Sequence, residues 1–146
     1  MTPAGYSGTP LPKKLGIKED ARLAIVGEVP KGFDRTLGKL PAGVEVRRQT
    51  RGSADVLVCF VTRRAELARR FPGLKRALEP DGGLWVAWPK RAAGVPTDMT
   101  EDVVREIAIP GGLVDNKVCA IDETWSGLRL VYRVADRPAG TPRKGA

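Results

Sequence analysis

One apolar run, DVLVCFV at residues 55–61, constrains this chain more than any other feature. A strand that alternates apolar and polar side chains buries one face. A strand apolar at nearly every position is buried on both, as in the centre of a parallel sheet with helices packed above and below. The flanking segments fit that frame. Residues 23–27 form a short apolar run ending at Gly27, and 83–88 (GLWVAW) form another. Residues 44–48 alternate apolar and charged, which predicts a half-buried edge strand. Residues 114–121 and 128–134 read as two further strands, joined by a turn over 122–127 short enough for an antiparallel hairpin.

Helical patterns fall between these runs. Residues 32–40 place Phe33, Leu37 and Leu40 at helical spacing. Thr62 is positioned to cap a helix bearing Leu67, Phe71, Leu74 and Leu78, and Pro72 is expected to break or kink it. Thr100 caps another helix, with Glu101 and Asp102 at the positive end of its dipole and Val103, Val104, Ile107 and Ala108 on its apolar side. The stretch 10–15 predicts a short helix stopped by Gly16. Alternation of this kind predicts an α/β fold, a Rossmann-like three-layer sandwich with a mainly parallel sheet and a C-terminal antiparallel hairpin. The expected organisation is an irregular arm over 1–14, a single domain over 15–136 and a disordered tail over 137–146.

Composition removes several kinds of chemistry. The chain has no histidine, which excludes His-based triads, His proton shuttles and His-containing metal sites. Its two cysteines, Cys59 and Cys119, are too few for a structural zinc and lie in apolar runs, where they read as buried thiols. No metal site is expected. No stretch approaches a membrane span, and residues 1–16 lack the apolar core of a signal peptide, so a soluble, cytoplasmic protein is expected. The formal charge is +8, yet residues 93–127 alone carry −5. An acidic block inside a basic chain weakens the nucleic-acid signature that the total charge suggests. The densest basic stretch, from Arg63 to Arg76, also reads as the solvated face of an amphipathic helix.

Residues 17–27 (IKEDARLAIVG), 55–61, 78–88 (LEPDGGLWVAW) and the closing hairpin resemble strands one, four, five and six–seven of class I S-adenosylmethionine-dependent methyltransferases. Residues 5–18 (GYSGTPLPKKLGIK) and 115–130 (DNKVCAIDETWSGLRL) resemble a family of small bacterial proteins known as a domain of unknown function. The methyltransferase resemblance implies a cofactor held at a Gly-rich turn after the first strand and a ribose-binding acid at the end of the second. Here that turn is Gly27-Glu28-Val29-Pro30-Lys31-Gly32, and the second strand ends in Val46-Arg47-Arg48. The helix–strand–helix that normally follows is missing. Residues 48–54 reach at most about 25 Å, and parallel crossovers ordinarily take a dozen or so residues. One sheet face is therefore expected to lose its helix. The N-terminal arm or a partner must cover it, or the strand over 44–48 pairs antiparallel.

Ligands of open α/β sheets bind beyond the carboxyl ends of the strands. The residues expected there are Gly27, Glu28, Trp88, Lys90, Asp122, Glu123 and Trp125, a set suited to a flat or cationic ligand. Each also has a plain structural role open to it. Trp85 and Trp88 must face opposite sides of their strand, and an acidic hairpin tip is ordinary turn chemistry. Lys90 is the best single candidate for an anion-binding or general-base role. The departures from the methyltransferase pattern favour a non-catalytic domain binding a small ligand or protein partner, with no cofactor. An S-adenosylmethionine-dependent methyltransferase and a nucleic-acid-binding module are the alternatives.

Overall fold

The structure, a computed structural model, describes residues 9–137. The arm residues up to Gly8 and the tail from Pro138 lie outside the described residues. The elements run α1 (Leu11–Leu15), β1 (Arg22–Gly27), α2 (Phe33–Leu37), β2 (Glu45–Arg47), β3 (Ala54–Phe60), α3 (Arg64–Ala77), β4 (Leu78–Pro89), α4 (Glu101–Ala108), β5 (Leu113–Ala120) and β6 (Trp125–Tyr132), with short 3-10 turns at Arg91–Ala93 and Val134–Asp136. One six-stranded sheet has the order β2-β1-β3-β4-β6-β5. Strands β2, β1, β3 and β4 are parallel, and β6 runs antiparallel to both β4 and β5. The fold is the Rossmann-like sandwich that the apolar runs predict. Among the described residues no helix is long and apolar enough to cross a membrane.

Period-two alternation divides β3 between two cores. Leu57, Cys59 and Val61 face one side, where Leu67, Phe71 and Leu74 of α3 and Val104 and Ala108 of α4 cover them. Val56, Val58 and Phe60 face the other, beneath Leu11 and Leu15 of α1 and Phe33 and Leu37 of α2. Leu57, Val58, Cys59 and Phe60 have no exposed surface, as burial on both faces requires. Gly16 stops α1 in the left-handed conformation at φ 80°. Trp85 then fixes α1 to the sheet, its Nε1–H donating to the Leu15 carbonyl at 3.0 Å. The N-terminal segment thus covers the face that the short β2–β3 connection leaves open.

That connection corrects one option. Strand β2 pairs parallel with β1, Arg22 opposite Glu45 and Ala24 opposite Arg47, so the antiparallel alternative for 44–48 is excluded. Six linking residues suffice because β2 has only 3 residues, leaving little height to recover. Returning about three residue levels and crossing two strand spacings needs about 14 Å, and residues 48–53 reach about 20 Å. Arg47 secures the loop, its Nη1 donating to the carbonyls of Arg51 and Ser53, each at 3.0 Å.

Three local expectations also change. Helix α3 runs unbroken through Pro72; the packing of Leu67, Phe71 and Leu74 outweighs the hydrogen bond that proline cannot make. Thr62 does not cap α3, since its hydroxyl is used elsewhere; the Asp98 carboxylate accepts the Arg64 N–H instead, at 2.7 Å. Gly127 lies inside β6 rather than in the turn, paired with Ala87 and Cys119; it is glycine there because a Cβ would lie 3.1 Å from both Ile121 and Trp85.

Candidate functional site

The chain order reverses direction across the sheet between β1 and β3, and open α/β sheets form their ligand crevice at such a point. Gly27 ends β1 there with φ +88°, and a Cβ on it would lie 2.2 Å from the Phe60 carbonyl oxygen. Only glycine allows the two strand ends to come this close. The next residue completes the contact: the Glu28 N–H donates to the same Phe60 carbonyl at 2.8 Å. Its carboxylate reaches across the crevice, where Oε2 accepts the Thr62 N–H at 2.9 Å and the Thr62 hydroxyl at 2.8 Å. Thr62 also carries the neighbouring loop, its carbonyl accepting the Thr97 hydroxyl at 2.6 Å and the Asp98 N–H at 3.3 Å.

A second carboxylate stands at this edge where sequence reasoning missed it. The end of β2 supplies arginine instead of an acid, but the Arg48 guanidinium meets Asp34 of α2 at 2.6 Å. An acid is therefore present beside the end of β2, supplied by the preceding helix. Its signal in the sequence was slight, since Asp34 in the first turn of a short helix has an adequate explanation in the helix dipole.

The hairpin tip is tied to the end of β4. Asp122 Oδ1 accepts the N–H groups of Thr124 and Trp125, both at 2.8 Å, and the Lys90 N–H donates to the Thr124 carbonyl at 2.7 Å. Asp122 is thus employed in turn formation, and Glu123 projects exposed beside it. Trp125 is 8% exposed and sits edge-on to Phe60, which sits edge-on to Phe33, with ring centroids 5.0 and 4.9 Å apart. This aromatic row underlies the crevice on the α2 side.

Trp88 belongs to the opposite, α3 and α4 side. It pairs with Ser126 while Pro89 pairs with Trp125, so the two indoles lie on different faces and form no common wall. Trp88 and Lys90 line a groove with Thr97 and Met99. The predicted residues therefore separate into a crevice pair (Gly27 and Glu28), a groove pair (Trp88 and Lys90), and a hairpin group (Asp122, Glu123 and Trp125). Below the edge, burial pushes the Cys59 thiol up to about 12 and also raises that of Cys119, so both thiols are protonated and poor nucleophiles at neutral pH.

With this geometry the chain is similar to several solved structures. A putative type 11 methyltransferase from Sulfolobus solfataricus superposes with a TM-score of 0.59 at 12% identity, over 92% of this chain and 94% of that one. A SAM-dependent methyltransferase from Aquifex aeolicus gives 0.56 at 17% identity, over 81% and 85%. The magnesium protoporphyrin IX methyltransferase of Synechocystis PCC 6803, with bound SAM, gives 0.53 at 10%, over 84% and 74%. The chain has a methyltransferase-like fold. No family model matches it, and no curated protein matches its sequence. Identities this low establish the architecture, while function has to be argued from the site.

Proposed function

We propose that this protein is an S-adenosylmethionine-dependent methyltransferase whose cofactor lies across the β1–β3 crevice. The observation that carries this reading is the pair of carboxylates at the carboxyl edge, Glu28 at the switch point and Asp34 beside the end of β2. They fit the cofactor's donor pattern: Glu28 suits its ammonium group, and Asp34 suits the ribose hydroxyls that an acid after the second strand ordinarily takes. Solved structures of similar fold, one a SAM-dependent methyltransferase and one a methyltransferase with bound SAM, support the assignment. The chemistry supplied by such a cofactor is an activated methyl group on a sulfonium. The protein's part is to position it. Thr62 holds the Glu28 carboxylate across the crevice, and the Gly27 backbone admits close approach at the strand end.

Thermal shift and calorimetry with S-adenosylmethionine and S-adenosylhomocysteine test the reading. At about a hundred times the dissociation constant, a binder gains about 2.7 kcal/mol, a rise of several degrees for a domain of this size. Asp34→Asn and Glu28→Gln should each weaken binding about tenfold, the loss of one charge-assisted contact. No shift with either compound refutes the proposal.

A second reading, a binding domain without methyl transfer, is favoured by how these groups are already employed. Glu28 accepts two hydrogen bonds from Thr62, Asp34 pairs with Arg48, and Val29 packs against the core where a glycine-rich turn would stand open. That reading prevails if the protein binds neither compound yet retains a small molecule or protein partner on purification. The nucleic-acid alternative has less support. On the basic helix Arg64 pairs with Glu106 at 2.5 Å and Arg70 with Glu66 at 3.0 Å.

A further inference from the structure

A separate cavity lies at the opposite end of the sheet from the crevice, beside the amino ends of β1 and β3. It encloses about 260 Å³, less than the roughly 300–1,000 Å³ of drug-sized sites, and so suits a smaller molecule. Two half-buried charged side chains line it, Asp55 and Arg129. Asp55 is already matched, its Oδ2 accepting the Arg22 N–H at 2.8 Å and the Arg22 Nε–H at 3.4 Å. Arg129 is not. Among the described residues its guanidinium has neither a hydrogen-bond acceptor nor a carboxylate partner. Burial lowers its ionisation from the ordinary arginine value, and no neighbouring acid offsets that.

The sheet is shaped to receive this side chain. Arg129 stands opposite Trp85 across the β4–β6 pair, so both project on the α1 side of the sheet. The guanidinium then crosses Gly83, where a Cβ would lie 2.7 Å from its Cζ and 2.8 Å from its Nη2. Gly82, on the cavity wall, lets β4 close on β3, since a Cβ there would lie 2.6 Å from the Asp55 carbonyl oxygen. A planar fork of donors is thus held over bare backbone with nothing to accept from it. Arginine stays charged at physiological pH, and its fork fits a carboxylate through two parallel hydrogen bonds.

The exposed part of the lining has the opposite sign. Glu19, Asp81 and Lys18 stand there in solvent, two carboxylates against one ammonium, and none has an ion-pair partner among the described residues. A cavity with an unmatched cation within and a net negative mouth opposes a simple anion. It is complementary to a molecule carrying both charges.

From these observations we infer that this cavity binds a compact amino-carboxylate zwitterion, the size of a free amino acid, with its carboxylate on Arg129 and its ammonium toward Asp81 and Glu19. The inference is independent of methyl transfer, because none of these residues belongs to the crevice.

The test titrates glycine, β-alanine and γ-aminobutyrate into isotopically labelled protein without cofactor, following amide and arginine Nε–H chemical shifts. Acetate, propionate and butyrate, the same chains without the amine, are the controls. At least one amino compound should move the Gly82 and Gly83 amides and the Arg129 Nε–H, and bind about tenfold tighter than its control, the value of one charge-assisted contact. Glu19→Gln with Asp81→Asn should abolish that preference and leave the control's affinity no weaker. Both acids are exposed, so this double variant retains the fold. Arg129→Gln should weaken amino compound and control alike, by about tenfold or more. No shifts at Gly82 and Gly83, equal affinity for amino compound and control, shifts centred on Gly27 and Glu28 of the crevice, or a double variant that keeps the preference overturns the inference.

Discussion

Replacing Gly27 with alanine should be among the most costly single changes at the carboxyl edge. Gly27 has φ +88°, and its missing Cβ would lie 2.2 Å from the Phe60 carbonyl oxygen and 3.0 Å from the Phe60 nitrogen. Two costs combine. Left-handed backbone disfavours any Cβ by about 1–2 kcal/mol. The contact with a backbone oxygen cannot be relieved by a rotamer, so β3 must move away from β1, at an overpacking cost of about 1–3 kcal/mol. That movement also strains the Glu28 N–H bond to Phe60, worth about 1 kcal/mol. The total expected for Gly27→Ala is about 3–6 kcal/mol by equilibrium urea unfolding, out of the roughly 5–15 kcal/mol available to a domain. Gly32→Ala is the internal control. Its φ is +80°, but nothing lies within 4 Å of the added carbon, so only the backbone cost of about 1–2 kcal/mol applies. A Gly27→Ala protein within 1 kcal/mol of Gly32→Ala would refute the close approach of the two strand ends, and with it the geometry of the crevice.

Other outcomes follow from single contacts. Trp85→Phe removes the donor to the buried Leu15 carbonyl and should cost about 2–4 kcal/mol, with faster proteolysis around α1 as a second readout. Arg47→Met releases the carbonyls of Arg51 and Ser53 and should cost about 1–2 kcal/mol, measured by thermal unfolding. Cys59 ionises at about 12 in the folded state against an ordinary 9.0. Its protonated form is thus favoured by folding; that stability is complete below pH 9 and is lost as pH rises from 9 toward 12. The loss is of order 4 kcal/mol across that window. Urea unfolding from pH 8 to 11 should show Cys59→Ala declining less steeply than the native protein, and parallel declines would refute the assignment. Thr100→Ala removes the hydroxyl that accepts the Val103 N–H and should lower stability by about 1 kcal/mol in the same urea assay.

The fold was legible wherever one residue pattern admitted one solution. A strand apolar on both faces can only be central, and residues 55–61 proved so almost to the residue. Thr100 accepts the Val103 N–H at 3.1 Å as its position before two acids implied. Failures arose where a residue had two possible uses and tertiary contacts chose between them. Thr62 precedes a helix, but Glu28 claims its hydroxyl. Gly127 resembles a turn glycine, yet Trp85 and Ile121 need its missing side chain. The candidate site was legible as an edge but not as an arrangement. Sequence order places Trp88 and Trp125 near the same strand ends, whereas only the β4–β6 register, Trp88 opposite Ser126, reveals that the sheet separates them. Asp34 escaped notice because an acid in the first turn of a helix is explained by the helix dipole, and its pairing with Arg48 is a tertiary contact that sequence order does not show.

The short crossover explains why the carboxyl edge takes this form. Without an intervening helix–strand–helix, the chain must leave β2 and enter β3 within a few residues, and it does so on a strand of only 3 residues with Arg47 turned back into the loop. The same shortening exposes the end of β2 to α2, close enough for Arg48 to draw Asp34 to the edge. Under the proposed function, the carboxylate that serves the ribose comes from a helix, Asp34 of α2, instead of from the end of a strand. Arg48→Gln should free Asp34 and weaken S-adenosylmethionine binding in the same direction as Asp34→Asn, and the double variant should be no weaker than Asp34→Asn alone, as expected when one residue acts through the other. Additive losses would mean that Arg48 contacts the ligand itself and that positioning Asp34 is not its role.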